Sequence, residues 1–374
     1  MNKNLCPDCG GQRVRNGKTK SGKQRWKCKD CSSSLTRSYD KKNKELAEFV
    51  DWLFGKDSQE EYAGFTGRTF RNRTRWVWDY WLLPPVVEET YDVVFLDGIY
   101  LARNCVVLIA MTKENVLGWY VARSENVNAW TALLSRIAPP RMVVIDGGTG
   151  LKTALRQCWK NTHVQRCRFH VFGQVKRYIT SRPKTQAGVD LYGLAKGLFS
   201  IEDKSGAIVW VQDFFHWKTT YHDFLEERNV EGDYLHERLR RARASLDRLI
   251  KDETLFTFVT PEVRAELGCV NNECLPATTN AIESLNSRLR SILHYHRGLP
   301  IDRRIKALYW FCYLHSPNPV PLKDIPNIMP TDAEIEHAYQ KLSKNTKHHE
   351  TIPRWGTAIV WEDLHHQTPY NKWN

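Results

Sequence analysis

The middle of the chain alternates strand-like and helix-like segments, and this order restricts the fold more than any other feature of the sequence. Four apolar runs have the length and composition of buried strands, at 92–98, 104–112, 116–123 and 141–146, and the more polar HVQRC at 163–167 is predicted as a fifth strand. Helical spacing follows the third, fourth and fifth of them, at 126–138, at 150–159 and from Phe169 onwards. Three strands followed by two helix–strand units and a helix predict an α/β protein built on one mixed sheet.

Two of the strand-like runs end in an aspartate followed by glycine. FLDG contains Asp97 in the first run, and VIDGG contains Asp146 at the end of the fourth. Either Asp-Gly pair alone is typical of an ordinary turn. On neighbouring strands of one sheet, however, the two carboxylates would lie together and repel each other unless a cation neutralised them. Oxygen ligands of this kind suit Mg²⁺ or Mn²⁺, so we expect a divalent-metal site that needs a third acidic residue.

The segment TTNAIESLNSRLR (278–290) supplies a candidate for that third carboxylate. Helical spacing places Asn280, Glu283 and Asn286 on one face, with Arg290 on the same side. Taken alone, the segment is an ordinary polar surface helix. If it docks beside the aspartates, Asp97, Asp146 and Glu283 can together hold two divalent ions, the arrangement commonly used for phosphoryl transfer.

The N-terminal region contains two CxxC motifs separated by 18 residues, Cys6/Cys9 and Cys28/Cys31. This spacing is typical of a structural zinc site, in which four thiolates bind one Zn²⁺ tetrahedrally. A redox pair or a disulfide is the alternative. A segment as short and polar as 1–37 cannot bury much apolar surface, so the metal would supply its folding free energy. We therefore predict a zinc ribbon over 1–37.

The chain carries a net charge of +13, which indicates a polyanionic partner. Residues 1–37 hold ten Lys and Arg against two Asp, a net charge of +8. We expect a compact cationic face between the two cysteine pairs, suited to contact with phosphates. Its candidate DNA-binding residues are Arg13, Arg15, Lys18, Lys20, Lys23, Arg25 and Lys27.

Residues 38–82 have the pattern of a helix-turn-helix. Ser58 and Glu61 have capping-box spacing, Gly64 ends the helix that they begin, and Thr66–Trp78 predicts a basic second helix. A helical hairpin that merely links two domains is the alternative, but the neighbouring ribbon favours DNA binding. The candidate DNA-binding residues of the second helix are Arg68, Arg71, Arg73 and Arg75.

Helical periodicity with little strand character continues from 188 to 270, before the Glu283 helix. An arginine-rich stretch in this region fits either a DNA channel or a solvated helix face, and it contains Arg238, Arg240, Arg241, Arg243 and Arg248. The final segment, 316–374, begins as a proline-rich connector and carries no chemical motif.

Four stretches together resemble the Mutator-like DDE transposases of bacterial insertion sequences. They are FLDG with Asp97, VIDGG with Asp146, RCRFH with Cys167 and His170, and the helix with Glu283. The resemblance covers roughly residues 90–315. It implies a ribonuclease-H-like core in two parts, 91–180 and 276–315, around an all-helical insertion at 181–275, with the zinc ribbon and helix-turn-helix in front.

The resemblance also implies an activity and its partners. It predicts metal-dependent cleavage at the ends of a mobile element and transfer of the 3′-OH into target DNA, with terminal inverted repeats as substrate. It makes Cys167 and His170 functional, whereas their spacing alone favours a structural role. A homodimer located in the cytoplasm, on the nucleoid when bound to DNA, is expected, with no membrane partner. Two alternatives remain open: a non-catalytic DNA-binding regulator on a nuclease-like fold, and a nuclease without strand transfer.

Overall fold

The computed structural model describes residues 5, 6, 9, 11–36, 42–269 and 275–345. The first element is an antiparallel three-stranded sheet in the order β1–β2–β3, with β1 at Arg13–Lys18, β2 at Gln24–Cys28 and β3 at Ser34–Thr36. Gly22 turns the chain between β1 and β2 with a φ of 78°, a value that favours glycine. Among the described side chains of this segment only Cys6 and Cys28 are buried, so the sheet has almost no apolar core of its own.

Three helices follow: α1 at Lys42–Phe54, α2 at Gln59–Ala63 and α3 at Gly67–Thr74. The predicted capping box is present, because the Ser58 Oγ accepts from the Glu61 N–H and the Glu61 carboxylate accepts from the Ser58 N–H. Gly64 ends α2 in the left-handed conformation, with a φ of 65°. The helix predicted over Thr66–Trp78 is shorter in the structure, because α3 ends at Thr74.

That helix stops early because its last residues belong to the protein core. A 3-10 turn at Arg75–Asp79 replaces the final α-helical turn, and it buries both Val77 and Trp78. With three residues per turn, side chains three positions apart lie on one face of a 3-10 helix, and Thr74 and Val77 are accordingly both buried.

The central sheet has five strands in the order β6–β5–β4–β7–β8. Strand β5 pairs antiparallel with both β4 and β6, whereas β7 runs parallel to β4 and β8 runs parallel to β7. The mixed α/β architecture predicted from the sequence is therefore confirmed. The strands are β4 at Val93–Ala102, β5 at Cys105–Met111, β6 at Val116–Ala122, β7 at Met142–Ile145 and β8 at His163–Arg166.

The first of these strands is longer than the apolar pattern predicts. We expected it to end at Asp97-Gly98, but β4 continues to Ala102 and pairs with β5 as far as Cys105. The pairing of β4 with β7, by contrast, ends at Leu96. Asp97 is therefore a mid-strand residue that lies at the point where one of its two neighbouring strands stops.

Alternate residues of the sheet pack into two apolar layers. Val94 and Leu96 face a layer formed by α4 (Val127–Leu134) and α5 (Thr149–Cys158). Phe95 belongs to the larger layer on the opposite face, and alternation of side chains directs Asp97 to that same face. The helices of that second layer include α6 (Arg168–Ile179), α12 (Asn280–Tyr295) and α13 (Ile301–Leu314).

The region between β8 and α12 is helical, as expected. Its described residues form α7 at Gln186–Gly197, α8 at Lys204–Thr220, α9 at His222–Glu226, α10 at Glu237–Lys251 and α11 at Pro261–Glu266. After α13 come α14 (Ile325–Ile328) and α15 (Asp332–Asn345). The rest of the predicted tail, from 346 onwards, lies outside the described residues. Within the described chain, no helix combines the length and apolar character needed to cross a membrane.

The N-terminal helices share the core of the sheet rather than standing apart. Phe49 of α1 packs edge-on against Trp310 of α13, with ring centroids 5.9 Å apart. Near this contact, the buried Lys306 of α13 donates to the backbone oxygen of Trp78 and to the carboxylate of Asp332 (2.6 Å). These contacts join α1 and the 3-10 turn, which precede the sheet in the chain, to α13 and α15, which follow it.

Candidate active site

Asp97 and Asp146 lie side by side on two parallel strands. The last register pair of β4 and β7 is Leu96 with Ile145, so the next residue on each strand is an aspartate. The Asp97 Oδ1 accepts a hydrogen bond from the N–H of Gly98 (2.8 Å). Burial, together with the neighbouring charge of Asp146, raises the pKa of Asp97 to about 6. A buried carboxylate beside a second carboxylate forms a site that a cation would stabilise.

Helix α12 docks beside β4 through a direct contact with Asp97. The Asn286 side chain is buried, and its Nδ2 donates to the Asp97 Oδ2 (2.7 Å). The charge of Arg290, further along the same helix, partly counteracts the rise in the pKa of Asp97 that burial causes. The sequence left open whether this helix reaches the strands, and the contact between residues 97 and 286 shows that it does. Asn280, in contrast, is exposed at the start of the helix.

Glu283 forms a small cluster with Cys167 and His170. The sulfur, a ring nitrogen and a carboxylate oxygen of these residues lie within 4.8 Å of one another, a group that could hold a metal ion. The buried Thr279 joins them, because its Oγ1 lies 2.6 Å from the Glu283 Oε1 and 3.1 Å from the Cys167 Sγ. Cys167 and His170 thus lie beside the start of α12.

His170 connects this cluster electrostatically to the aspartates. Hydrogen bonding with Cys167 raises the pKa of His170 despite partial burial, and the charges of Asp146 and Glu283 act in the same direction. The Nδ1 of His170 lies 3.9 Å from the Glu283 carboxylate. A protonated imidazole here would offset part of the negative charge of the site.

Glu125 is a fourth carboxylate at the site, and the sequence reading missed it. Its Oε1 lies over β4, where a Cβ placed on Gly98 would come within 2.8 Å of it. Burial raises the pKa of Glu125 to about 7, and the charges of Asp146 and Asp97 add to the shift. In the sequence it is only an acidic residue before Asn126, which caps α4, so no local signal marks it.

Arg166 is a buried cation beside Asp146, and it too escaped the sequence reading. Its guanidinium occupies the space of a side chain at Gly147, since an added Cβ would lie 1.4 Å from it. Gly147 has a φ of 106°, a conformation that side chains rarely adopt. Burial lowers the pKa of Arg166, and the charge of Asp146 counteracts that effect. The glycine of VIDGG therefore makes room for the arginine.

The four N-terminal cysteines form a possible zinc-binding site. Their sulfur atoms all lie within 4.8 Å of one another, with 3.7 Å from Cys6 to Cys31 and 3.5 Å from Cys9 to Cys28. A tetrahedron with Zn–S bonds of about 2.3 Å has S···S edges of about 3.8 Å, close to these values. The backbone N–H of Cys31 is the main cause that lowers the pKa of Cys28 to about 7, which favours the thiolate that a metal needs.

The basic side chains of the N-terminal sheet lie on both of its faces rather than on the single compact face expected. Strand pairing places Arg15 opposite Trp26, so Arg13 and Arg15 share the Trp26 face. Alternation along β2 directs Arg25 and Lys27 to the other face. The remaining three candidates are exposed around the hairpin turn, at Lys18, Lys20 and Lys23.

The four arginines predicted for the helix-turn-helix also divide. Arg73 is held by α1, where its guanidinium pairs with Glu48 at 2.7 Å. Arg71 donates to the side chain of Gln59 (3.0 Å) yet remains exposed. The other two candidates, Arg68 and Arg75, are exposed as well. Arg73 therefore contributes to packing between helices, and the other three face solvent.

A comparison with protein families matches a model described as "Transposase, Mutator family" to residues 81–308. That range is more than half of the chain, and it includes the whole five-stranded sheet, the helical region and α12. It therefore contains all the residues of the acidic site.

Individual relatives are named transposases. A transposase for insertion sequence element IS905 from Lactococcus lactis is 28% identical over 157 residues, which cover 37% of this chain and 39% of the relative. A probable transposase for an insertion sequence element from Corynebacterium diphtheriae is 23% identical, covering 60% and 62%. The transposase for IS256 in transposon Tn4001 from Staphylococcus aureus is 21% identical, covering 66% and 59%. The chain thus spans less than two thirds of the length of each.

Proposed function

Because the chain belongs to the Mutator family of transposases, we propose that it is a DNA transposase that cleaves DNA at the ends of a mobile element and joins the freed 3′-OH to target DNA. The observation that carries the proposal is the contact of Asn286 with Asp97, which brings the helix of the predicted third carboxylate to the strands of the first two. The proposed core is ribonuclease-H-like. The strand order, with three antiparallel strands followed by two parallel ones, supports that assignment.

Asp97, Asp146 and Glu283 are the proposed ligands of two Mg²⁺ or Mn²⁺ ions. Their donor set is all carboxylate, which suits these hard cations. The raised pKa of Asp97, to which burial contributes most and the charge of Asp146 adds, also favours a cation here. So does the buried Asn286 Oδ1, which has no hydrogen-bond partner among the described atoms. When bound, such ions would activate the attacking oxygen and stabilise the leaving oxygen.

The protein's own side chains have distinct proposed tasks around the reacting phosphate. Asn286 holds the Asp97 carboxylate through its hydrogen bond. Thr279 restrains Glu283, and His170 supplies a proton-dependent positive charge between the glutamate and the aspartates. Arg166 offsets the charge of Asp146 from within the core. These groups orient the carboxylates, and positioning with charge stabilisation accounts for most of the catalysis of phosphoryl transfer.

The proposed DNA-binding front consists of the cysteine ribbon with one structural Zn²⁺ and the three helices after it. Exposed cations on the ribbon and on α3 are the proposed contacts with element ends, because such contacts position a protein on DNA. Cleavage by activated water and attack by the resulting 3′-OH require no covalent intermediate between protein and DNA.

The experiment uses DNA that flanks the gene, which should carry the inverted repeats. Asp146→Asn and Glu283→Gln should each lower strand cleavage with Mg²⁺ by at least about a hundredfold, because each removes a charge that the ions need. The matched control is Asp92→Asn, since Asp92 lies exposed just before β4, at the opposite end of the strand pair from Asp146, and pairs with Arg141. Titration calorimetry with Mn²⁺ should show weakened binding for the first two variants alone.

Undiminished cleavage by Glu283→Gln would contradict the proposal. A joining assay with a pre-cleaved 3′-OH end then separates the alternatives. Cleavage without joining identifies a nuclease, and DNA binding with neither reaction identifies a non-catalytic regulator.

A further inference from the structure

A surface groove runs along the seam between α5 and α10 and opens beside Asp146. Its inner cavity, of about 310 Å³, is bounded by Gly147 and Arg166 on the sheet side and by Arg241 and Arg248 on α10. A second cavity, of about 500 Å³, continues outward and shares Arg248 with the first. This α5–α10 groove therefore leads from the residue after Asp146 to the outer surface of the helical region.

Positive charge dominates the α5–α10 groove. Its cationic side chains are Lys152, Arg156, Arg166, Arg241, Arg248 and Lys251. The two carboxylates along it are already engaged, because Asp252 pairs with Lys152 (3.2 Å) and Asp247 pairs with Lys218 (2.6 Å). Three of the cations, Arg156, Arg248 and Lys251, are exposed and make no ion pair within the described chain.

The arginines of the arginine-rich stretch lie on different faces of α10, a distinction that the sequence left open. Arg241 and Arg248, seven residues apart, share the face that lines the groove, and Arg241 also pairs with Glu237 of its own helix (2.7 Å). Arg240 lies on another side, where it pairs with Glu226 and stacks over the ring of Tyr234. Arg243 also acts on Glu226, since its charge lowers the pKa of that carboxyl. Only part of the arginine-rich stretch is thus available to a ligand in the groove.

We propose that the α5–α10 groove binds the phosphodiester backbone of the DNA strand that continues from the phosphate at Asp97 and Asp146. The inference rests on the proposed function and adds a path for the DNA beyond the reacting phosphate. Unpaired guanidinium and ammonium groups along a polar channel suit backbone contacts, which are independent of base sequence. The partly exposed ring of Tyr178 and the amide of Gln174 line the inner cavity and complete a polar, sequence-neutral surface.

The test measures the salt dependence of DNA binding by the full-length protein. Fluorescence anisotropy with a labelled random-sequence duplex of about 30 base pairs gives the slope of log affinity against log salt concentration. For Arg248→Ala/Lys251→Ala, which removes two exposed cations of α10 that make no ion pair among the described residues, the slope should fall by about 2 relative to the unsubstituted protein, because each phosphate contact contributes about 0.9. The control, Arg243→Ala, removes the same charge from the same helix on the Glu226 side and should leave the slope unchanged.

Three results decide the inference, and thermal melts establish that each variant is folded. A lower slope for the double variant alone supports the groove. An unchanged slope for the double variant overturns the inference. An equal fall per removed charge for Arg243→Ala also overturns it, because the slope would then depend on net charge rather than on a site. Cleavage by the unsubstituted protein is scored separately, so the groove can fail while strand cleavage stands. Conversely, a lowered slope without any cleavage supports a DNA site and contradicts the proposed function.

Discussion

The four N-terminal cysteines and the four carboxylates of the sheet (Asp97, Glu125, Asp146 and Glu283) are both groups of potential metal ligands. They differ in how much apolar packing surrounds them. The cysteine ribbon buries only Cys6 and Cys28 among its described side chains, so its strands have little apolar packing. The carboxylates lie on or beside a sheet whose strand β5 is buried along its entire length. A metal bound by the four cysteines would stabilise the ribbon, whereas the apolar core around the sheet holds the carboxylates in place.

This difference determines what each site can tolerate. Thiolates that organise a chain with little core must bind a metal for the chain to fold, because metal binding is the folding free energy. Carboxylates fixed by a large core can be held in place even where their surroundings disfavour the charge. Burial is the main cause that raises the pKa of Asp97 to about 6 and of Glu125 to about 7, and the charge of Asp146 adds to both rises. A bound cation would favour the ionised form of these carboxylates.

The largest expected effect is the loss of the ribbon when its metal is removed. Cys28→Ser should abolish bound zinc and unfold β1–β3, since structural zinc contributes on the order of 10 kcal/mol to such segments. The five-stranded sheet should stay folded. Hydrogen exchange would show fast amides in β1 and β2 with protected amides in β4 and β5, and elemental analysis would report the zinc. Cys158→Ser, at the end of α5, is the matched control and should retain the metal.

A second test asks how firmly packing holds the region around the sheet. Lys306→Met should lower the free energy of unfolding by about 3 kcal/mol, because it leaves the Asp332 carboxylate without its buried cation. Urea denaturation measures the change. The double variant Lys306→Met/Asp332→Leu should recover part of the loss, and a double variant less stable than the single one would refute the ion-pair explanation.

Next in size is the effect of a side chain beside Asp146. Gly147→Ala should destabilise the sheet by about 2 kcal/mol, since the new Cβ would strike the Arg166 guanidinium and the backbone has a positive φ. Gly148→Ala is the control, because no atom lies within 4 Å of a Cβ there. Equal stabilities of the two variants in urea would show that Arg166 does not require this space.

The smallest effect runs in the stabilising direction. The pKa of Asp97 is about 6 in the folded protein and about 3.9 in an unfolded chain, so its charge disfavours folding at pH 8 but not at pH 4. Asp97→Asn should therefore raise the free energy of unfolding by about 1 kcal/mol at pH 8 without Mg²⁺ or Mn²⁺, with the gain vanishing by pH 4. Urea titrations at both pH values measure it, and the exposed Asp92→Asn should show no gain. A loss of stability at pH 8 would mean that packing, not repulsion, dominates at Asp97.

Local patterns in the sequence predicted most of the architecture. Runs of apolar residues located four of the five central strands, and the capping box located the start of α2, because both depend on neighbours in the chain. The two CxxC pairs predicted the cluster of four thiols, again from local spacing. Element ends were less predictable, since β4 extends past Asp97 only because β5 pairs with it there.

The sequence by itself determined the strand-and-helix order, the cysteine set and the identity of Asp97, Asp146 and Glu283 as candidates. Tertiary structure alone decided that Asn286 meets Asp97 across 189 positions, that Glu125 and Arg166 join the site, and that two arginines of α10 face the groove. The physical reason is that secondary structure follows the short-range periodicity of apolar and polar residues. The charge environment of a site depends on which distant side chains the packed core brings within a few ångströms, and no local pattern encodes that.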